Sequence, residues 1–205
     1  MTKKEELKVF FETERERKKK IARYEENNIF FNHLLKNGNE EDVEFAILIK
    51  MYNYASHLQE DGYYKKANSV ADEIEKDLER LKGQSELYEM YLEGITFLKG
   101  VCLGRLRKHK ESNKYFKQLV EKNPTNDNFV DWYKSNKKNQ IAKIANTIAM
   151  VAISIVIVGI ILNYLSIPNL NVPIIISAIM WTVWLLAHLV SYVWRKIIDK
   201  QKIKL

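Results

Sequence analysis

Residues 144–194 read IANTIAMVAISIVIVGIILNYLSIPNLNVPIIISAIMWTVWLLAHLVSYVW, and this stretch of 51 residues contains no Asp, Glu, Lys or Arg. A helix needs about 20 apolar residues to cross the hydrocarbon core of a bilayer. The stretch therefore fits two spans, at 144–165 and 172–194, joined by a short turn that contains Pro168 and Pro173. The sequence predicts a two-helix transmembrane hairpin.

Basic residues flank this stretch on both sides, and the turn in its middle has none. They lie in a juxtamembrane linker, 127–143, and a tail, 195–205: Lys134, Lys137, Lys138, Lys143, Arg195, Lys196, Lys200, Lys202 and Lys204. Because cytoplasmic flanks of membrane helices carry the excess of Lys and Arg, we expect both chain ends in the cytoplasm. The chain start lacks the apolar core of a signal peptide. Abundant Lys, Asn and Ile hint at a bacterial source, which gives an integral protein of the inner membrane, whereas the alternative is a buried hairpin in a soluble protein.

Each predicted span carries one distinctive helical face. The first has a face of small residues that includes Ala145, Ala149, Ala152 and Gly159. The second has a face with Ser177, Trp181, Trp184, His188 and Ser191. Small residues let membrane helices approach closely, so we expect the two faces to pack on each other or on a second copy of the hairpin, as a homo-oligomer. The histidine either reaches interfacial water or serves proton or ion passage, but the stretch offers it no acidic partner.

The net charge of +7 is unevenly distributed along the chain. Residues 1–133 hold 24 Lys and Arg against 25 Asp and Glu, whereas residues 134–205 hold nine against one. The basic excess therefore flanks the apolar stretch, where it sets membrane orientation. A nucleic-acid partner is not expected, because binding to phosphates requires a basic surface and the first part of the chain is slightly acidic.

The first part of the chain reads as helical throughout. Apolar residues recur with helical spacing over 40–60, 63–82, 85–107 and 109–122, and Asn39 stands where an N-cap is expected. A charged helical segment, 1–39, precedes them, with nine basic and seven acidic residues in 3–26. Its apolar residues are expected to dock it onto the following helices. The predicted fold class is all-α, with antiparallel helical hairpins over 40–126 followed by the membrane hairpin.

These hairpins resemble the tetratricopeptide (TPR) repeat family. Small and aromatic residues carry the resemblance: Ala55, then Gly62, Tyr64 and Ala67 of "GYYKKA", and in the second hairpin Gly100, Phe116 and Pro124. The resemblance implies close helix crossings at the small residues and recognition of a peptide or helix in a groove.

The repeat pattern is incomplete. Departures from the family are Leu58, Leu103, Ala71, Glu79 and Ser112. The matching positions Ala67 and Ser112 are 45 residues apart, against about 34 in the family. A generic helical bundle or a repeat of longer helices is the alternative.

No set of residues in the sequence predicts catalysis. The four histidines, His33, His57, His109 and His188, share no metal-ligand spacing, and no phosphate-binding glycine loop is present. Cys102 lies on an apolar helical stripe, and neighbouring acids such as Asp72 and Glu73 are interpreted as helix starts or solvated faces. We therefore expect a non-enzymatic protein without cofactor or metal.

Two functions fit this organisation. The first is a membrane-anchored adaptor that binds a protein or peptide partner at the cytoplasmic face, and the second is a membrane-perturbing or pore-forming effector, as in bacterial defence. Residues 40–98 carry a net charge of −8 and residues 99–122 a net charge of +6. We expect the acidic region to face a basic partner, and the basic region to face anionic lipid, an acidic peptide or a nucleotide-like ligand, whereas the alternative is an intramolecular dipole with no partner. The candidate partner-binding residues are Arg105, Arg107, Lys108, Lys110, Lys114 and Lys117.

Overall fold

A computed structural model describes residues 1–83, 87–164 and 172–200 of the chain, without the side chains of 156, 159, 160, 162–164 and 172–179. All secondary structure in these ranges is helical, which confirms the predicted all-α class. The chain divides into two compact units, Met1–Phe129 and Val130–Leu205. Unit 1 thus contains both the charged N-terminal segment and the predicted hairpins.

Unit 1 is a succession of short helices: α1 (Lys3–Thr13), α2 (Arg17–Glu26), α3 (Asn28–Asn37), α4 (Glu40–Leu48), α5 (Ser56–Glu60), α6 (Tyr64–Leu78), α7 (Tyr88–Arg105) and α8 (His109–Lys122). A π-helical segment, Ile49–Ala55, connects α4 to α5, and a 3-10 turn, Glu79–Leu81, follows α6. Helix α9 (Asp127–Tyr164) starts at the end of unit 1, and with α10 (Val172–Lys200) it forms unit 2. The predicted linker, 127–143, is helical as the first part of α9.

The N-terminal segment, 1–39, is helical as predicted and forms three helices, of which the first two, α1 and α2, carry most of its charge. Helix α1 begins with a capping box, in which Thr2 and Glu5 satisfy each other's backbone N–H groups, and ends before the extended residues around Glu14. Both helices place apolar side chains in the core, and Leu7, Phe11 and Tyr24 are buried. The Tyr24 ring stacks between Phe31 and Tyr54 at centroid distances of 4.9 and 4.2 Å. Burial of this face is what docks the otherwise charged segment.

Helix α4 starts where the sequence predicted. The Asn39 side chain accepts a hydrogen bond from the backbone N–H of Asp42 at 2.9 Å, which confirms the N-cap. The helix then widens into the π-helical segment, a form that is usually confined to one turn and often found at functional sites. Ser56 donates its hydroxyl proton to the carbonyl of Met51 at 3.0 Å, five residues back.

Helix α6 pairs with two buried lysines, one from the π-helical segment that precedes it and one from α7 that follows it. Lys50 is 4% exposed, and its Nζ lies 3.1 Å from carboxylate oxygens of both Glu73 and Asp77. Lys99 is 5% exposed, and its Nζ lies 2.6 Å from Asp72 and 2.7 Å from Glu75. The acidic residues of α6 are therefore not merely solvated, as the sequence suggested. They compensate the charges of two buried ammonium groups.

The small residues of the repeat pattern lie at close helix contacts. Ala55 and Ala67 are fully buried. A Cβ at Gly100 would lie 2.9 Å from the Phe116 ring, and Ser112 donates to the Gly100 carbonyl at 2.7 Å. Of the remaining pattern residues, Tyr64 is half-buried, Pro124 is exposed in a turn, and Gly62 has a φ of 87°, which favours glycine. Close packing of α7 on α8 thus depends on the missing side chain at 100.

We expect the double substitution D72N/E75Q to lower the free energy of unfolding by about 1–3 kcal/mol, because it leaves the buried Lys99 ammonium without its carboxylates. Solvent screening keeps the loss moderate, since both carboxylates are half-exposed. Thermal melts of the full chain, followed by circular dichroism, measure the loss. Adding Lys99→Met to the same variant should recover part of it. A variant that is as stable as the wild type, or no recovery with methionine, contradicts this role.

The Lys66 ammonium donates to Glu25 at 2.6 Å and, with the Tyr54 hydroxyl, holds the pKa of that carboxyl below its usual value of 4.5. A lowered pKa contributes stability that is present above pH of about 4.5 and is lost as the pH falls. Glu25→Gln should therefore lose less stability on acidification than the wild type. Melting temperatures between neutral and acidic pH test this, with the exposed Glu12→Gln as control, and equal acid sensitivity of wild type and E25Q contradicts it.

Candidate functional site

Unit 2 exposes large apolar side chains on both of its helices. On α9 they are Ile144, Ile148, Met150, Val151, Ile153, Ile155, Ile157, Val158 and Ile161. On α10 they are Trp181, Val183, Leu185, Leu186, Leu189, Val190, Tyr192, Val193, Trp194 and Ile197. We call this surface the apolar belt. Soluble monomers rarely expose contiguous apolar patches of more than a few hundred Å², and larger ones mark contact with a membrane or another protein.

The small residues of α9 form the inner face of unit 2. Ala145, Ala149 and Ala152 are buried, whereas their neighbour Met150 is 70% exposed. Gly159, which continues the predicted face, lies outside the residues whose side chains the structure describes. An alanine face of this kind permits close approach of another helix.

The inner face of α10 is rotated from the predicted one. Ser191 is buried and Trp184 is half-buried, but Trp181 and His188 are exposed, and Ser177 lies outside the described side chains. The half-buried Ala187 lies inward instead. A helix turns by about 100° per residue, so the residues that share a predicted stripe still differ in how far they face the partner helix. The His188 ring contacts Trp184 at a centroid distance of 4.7 Å.

Charged residues lie at the end of unit 2 that contains the start of α9 and the end of α10. Lys138 of α9 forms an ion pair with Asp199 of α10. Lys196 lies over the Tyr192 ring at 4.9 Å from its centroid, and Lys137 lies over Tyr133 at 4.6 Å. Basic and aromatic side chains together are typical of the boundary between membrane and water. The apolar belt is thus bordered by a basic end.

Two hydroxyl side chains within the belt are satisfied locally. Ser154 donates to the carbonyl of Met150, and Thr147 donates to that of Lys143, both at 2.9 Å. Hydrogen bonding to the carbonyl four residues back removes the need for water. The belt can therefore enter an apolar medium without stranding these hydroxyl groups.

The six candidate partner-binding residues lie on the exposed surface of α7, α8 and the turn between them. Lys108 and Lys117 form ion pairs within their own helical segment, at 3.5 Å to Glu111 and 3.4 Å to Glu121. Arg107 has a φ of 60° in the turn. These residues are thus accessible, and their helix neighbours compensate part of their charge.

The cysteine of unit 1 is a packing residue of the core. Cys102 is fully buried, and burial raises the pKa of its thiol to about 12, so it stays protonated at neutral pH. In the described part of the chain, no three His, Cys, Asp or Glu side chains come together as a metal site.

Sequence reasoning missed the two buried lysines and an exposed apolar patch on α4, the π-helical segment and α7. The signal for the lysines was their position within strongly apolar helical stripes, next to an acidic helix. The sequence gives no signal for the exposure of Leu48, Tyr52 and Met90, because apolar periodicity does not show which apolar residues another helix covers.

The chain matches no family model, no curated protein and no solved structure. Among the helical residues that the structure describes, none forms a stretch with the length and apolar character required to cross a membrane.

We expect Ala149→Leu to destabilise unit 2 by about 1–3 kcal/mol, because overpacking a close helix contact forces the helices apart. Met150→Leu is the matched control, since the neighbouring side chain is exposed and similar in volume. Thermal melts of the full chain in mild detergent measure the difference. Equal melting temperatures for the two variants contradict close packing at Ala149.

Proposed function

We propose that this protein is a membrane-anchored helical adaptor, in which unit 2 inserts as a hairpin and holds unit 1 at the cytoplasmic face to bind another protein. The observation that carries the proposal is the apolar belt with its basic end. Nearly all residues of the belt lie within the 51-residue stretch that lacks Asp, Glu, Lys and Arg. We propose no enzymatic activity and no cofactor.

The energetics of the belt favour a bilayer as its surroundings. Moving one large aliphatic or aromatic side chain out of water contributes about 1.5–3 kcal/mol, and the belt presents many of them on both helices. Arg195 and Lys196 are exposed near the end of α10, where they can reach lipid headgroups. The basic end supports the cytoplasmic orientation of both flanks.

The packing order of unit 1 supports a TPR-like stack. Tyr91 donates to Glu44 at 3.0 Å, and a Cβ at Gly94 would lie 3.1 Å from the Met51 side chain. Residue numbers rise together along both contacts, so α7 runs parallel to α4 and the π-helical segment. Helices α6 and α8 return antiparallel, as Lys99–Asp72 and Ser112–Gly100 indicate. Parallel first helices in consecutive pairs are the arrangement that the family resemblance implies.

The second candidate function is a pore-forming effector, in which the small-residue face of α9 would pack between subunits. Ala145, Ala149 and Ala152 are already buried within unit 2, so the adaptor is the better proposal. Ion leakage from vesicles that contain the full chain tests the effector directly. Leakage that disappears in Ala152→Leu while the anchor persists would favour the effector.

The anchor is tested by fractionating cells that express the full chain. We expect it to sediment with membranes and to resist extraction at alkaline pH. Met150→Lys together with Leu185→Lys should shift protein to the soluble or aggregated fraction, because each lysine near mid-membrane costs about 2.5–3.5 kcal/mol. Asn139→Lys, an exposed position in the basic flank, is the control and should stay membrane-bound. Wild-type protein in the supernatant after high-speed centrifugation refutes the anchor.

A further inference from the structure

Unit 1 exposes an apolar patch along two adjoining helices, and we call the strip between these helices the groove. Leu48 and Tyr52 follow one another on α4 and the π-helical segment and are 38% and 44% exposed. Met90 on α7 is 48% exposed and lies one turn before Gly94. The Tyr52 hydroxyl lies 3.7 Å from the place that a Cβ of Gly94 would occupy, so the residues of the two helices adjoin.

Two local features accompany this groove. Gly94 lets α7 approach the preceding helix closely, since a Cβ at this position would lie 3.1 Å from the Met51 side chain and 3.7 Å from the Tyr52 hydroxyl. Within the π-helical segment, Lys50 pairs with Asp77 of α6 while Tyr52 remains exposed beside α7. π-Helical turns are rare and are frequently found at functional sites. The exposed apolar side chains lie on both helices, so the groove does not depend on one of them.

The rim of the groove is acidic. Glu44 lies one turn before Leu48 and accepts the Tyr91 hydroxyl proton, and Glu41 and Glu93 lie one turn before Glu44 and one turn after Met90. In the described part of the chain, none of these three carboxylates forms an ion pair, in contrast to the carboxylates of α6, which pair with buried lysines. Residues 40–98 as a whole carry a net charge of −8.

We propose that this acidic groove, formed by Leu48, Tyr52, Met90 and Gly94 with the rim of Glu41, Glu44 and Glu93, binds a basic amphipathic helix of a partner protein. The apolar side chains of that helix would cover the exposed side chains of the groove, and its Lys or Arg residues would pair with the rim. This proposal deepens the proposed adaptor function and identifies the class of its partner.

Charge decides among the possible occupants. Nucleic acid and anionic lipid carry the same sign as the rim and are repelled. A second copy of the chain, seated groove to groove, would bring the same carboxylates against each other, which is unfavourable by the same rule. A basic segment gains both apolar contact and charge complementarity. The groove therefore selects a basic partner, whereas the basic surface of α8 would select an acidic one.

The test uses the full chain in nanodiscs of zwitterionic lipid and a fluorescent synthetic Leu/Lys amphipathic helix of about 18 residues, or five turns. Empty nanodiscs report binding to lipid. A peptide with Glu in place of every Lys and a scrambled Leu/Lys peptide separate charge from amphipathicity. Fluorescence anisotropy measures the dissociation constant of each.

Of the three peptides, we expect only the basic amphipathic one to bind more tightly to nanodiscs that contain the chain than to empty nanodiscs. Met90→Lys should weaken its binding about tenfold, which corresponds to about 1.4 kcal/mol. Ile29→Lys introduces the same charge at a fully exposed apolar site on α3 and should leave the affinity within about twofold of wild type, a difference of a few tenths of a kcal/mol. Glu44→Gln with Glu93→Gln should weaken binding and reduce its dependence on salt.

Three results would overturn the proposal: equal binding of the Leu/Glu or scrambled peptide, equal loss in M90K and I29K, or a self-associated chain whose dimer M90K dissociates. The last result would assign the groove to a second copy. Failure here is separable from failure of the membrane anchor, because cell fractionation tests the anchor without any peptide.

Discussion

Helix α6 and its carboxylates hold unit 1 in register. An ammonium group leaves water only where anionic oxygens replace its hydration, and α6 supplies such oxygens on two sides. Asp77 and Glu73 receive Lys50 from the π-helical segment of the same hairpin, while Asp72 and Glu75 receive Lys99 from α7 of the following one. Each pair sets the rotation and the axial position of one neighbour, so the helices on either side of α6 cannot slide without stranding a buried charge.

This arrangement also explains where acidic charge remains available. The carboxylates of α6 are committed to buried lysines, whereas Glu44 is committed only to a hydroxyl group, that of Tyr91. Carboxylates without an ion pair in the described part of the chain thus remain on the adjoining surfaces of α4 and α7, at Glu41, Glu44 and Glu93. In unit 2 the charge has the opposite sign, since basic residues lie at the end of the apolar belt. The proposed adaptor thus combines one surface suited to lipid with another suited to a basic partner.

Much of the helical architecture could be predicted, because helical periodicity and capping are local. Helices α6, α7 and α8 follow the apolar stripes, and Asn39 caps α4 as its side chain and position indicate. The break around Glu14 and the π-helical segment could not be predicted, because apolar periodicity gives no signal for either. Tyr24 of α2 and Tyr54 of the π-helical segment stack against each other in the core. Backbone propensity is weak compared with the burial of such rings.

The amino-acid sequence by itself determined the all-α class, the uneven distribution of charge and the uncharged 51-residue stretch, since these follow from composition and spacing. Only the tertiary structure decided which residues of each stripe are covered. It turned Trp181 and His188 outward, buried Ala149, paired Lys50 and Lys99 with α6, and left Tyr52 and Met90 exposed beside Gly94. The physical reason is that burial and ion pairing join residues from different helices, and sequence periodicity shows only the apolar face of each helix by itself.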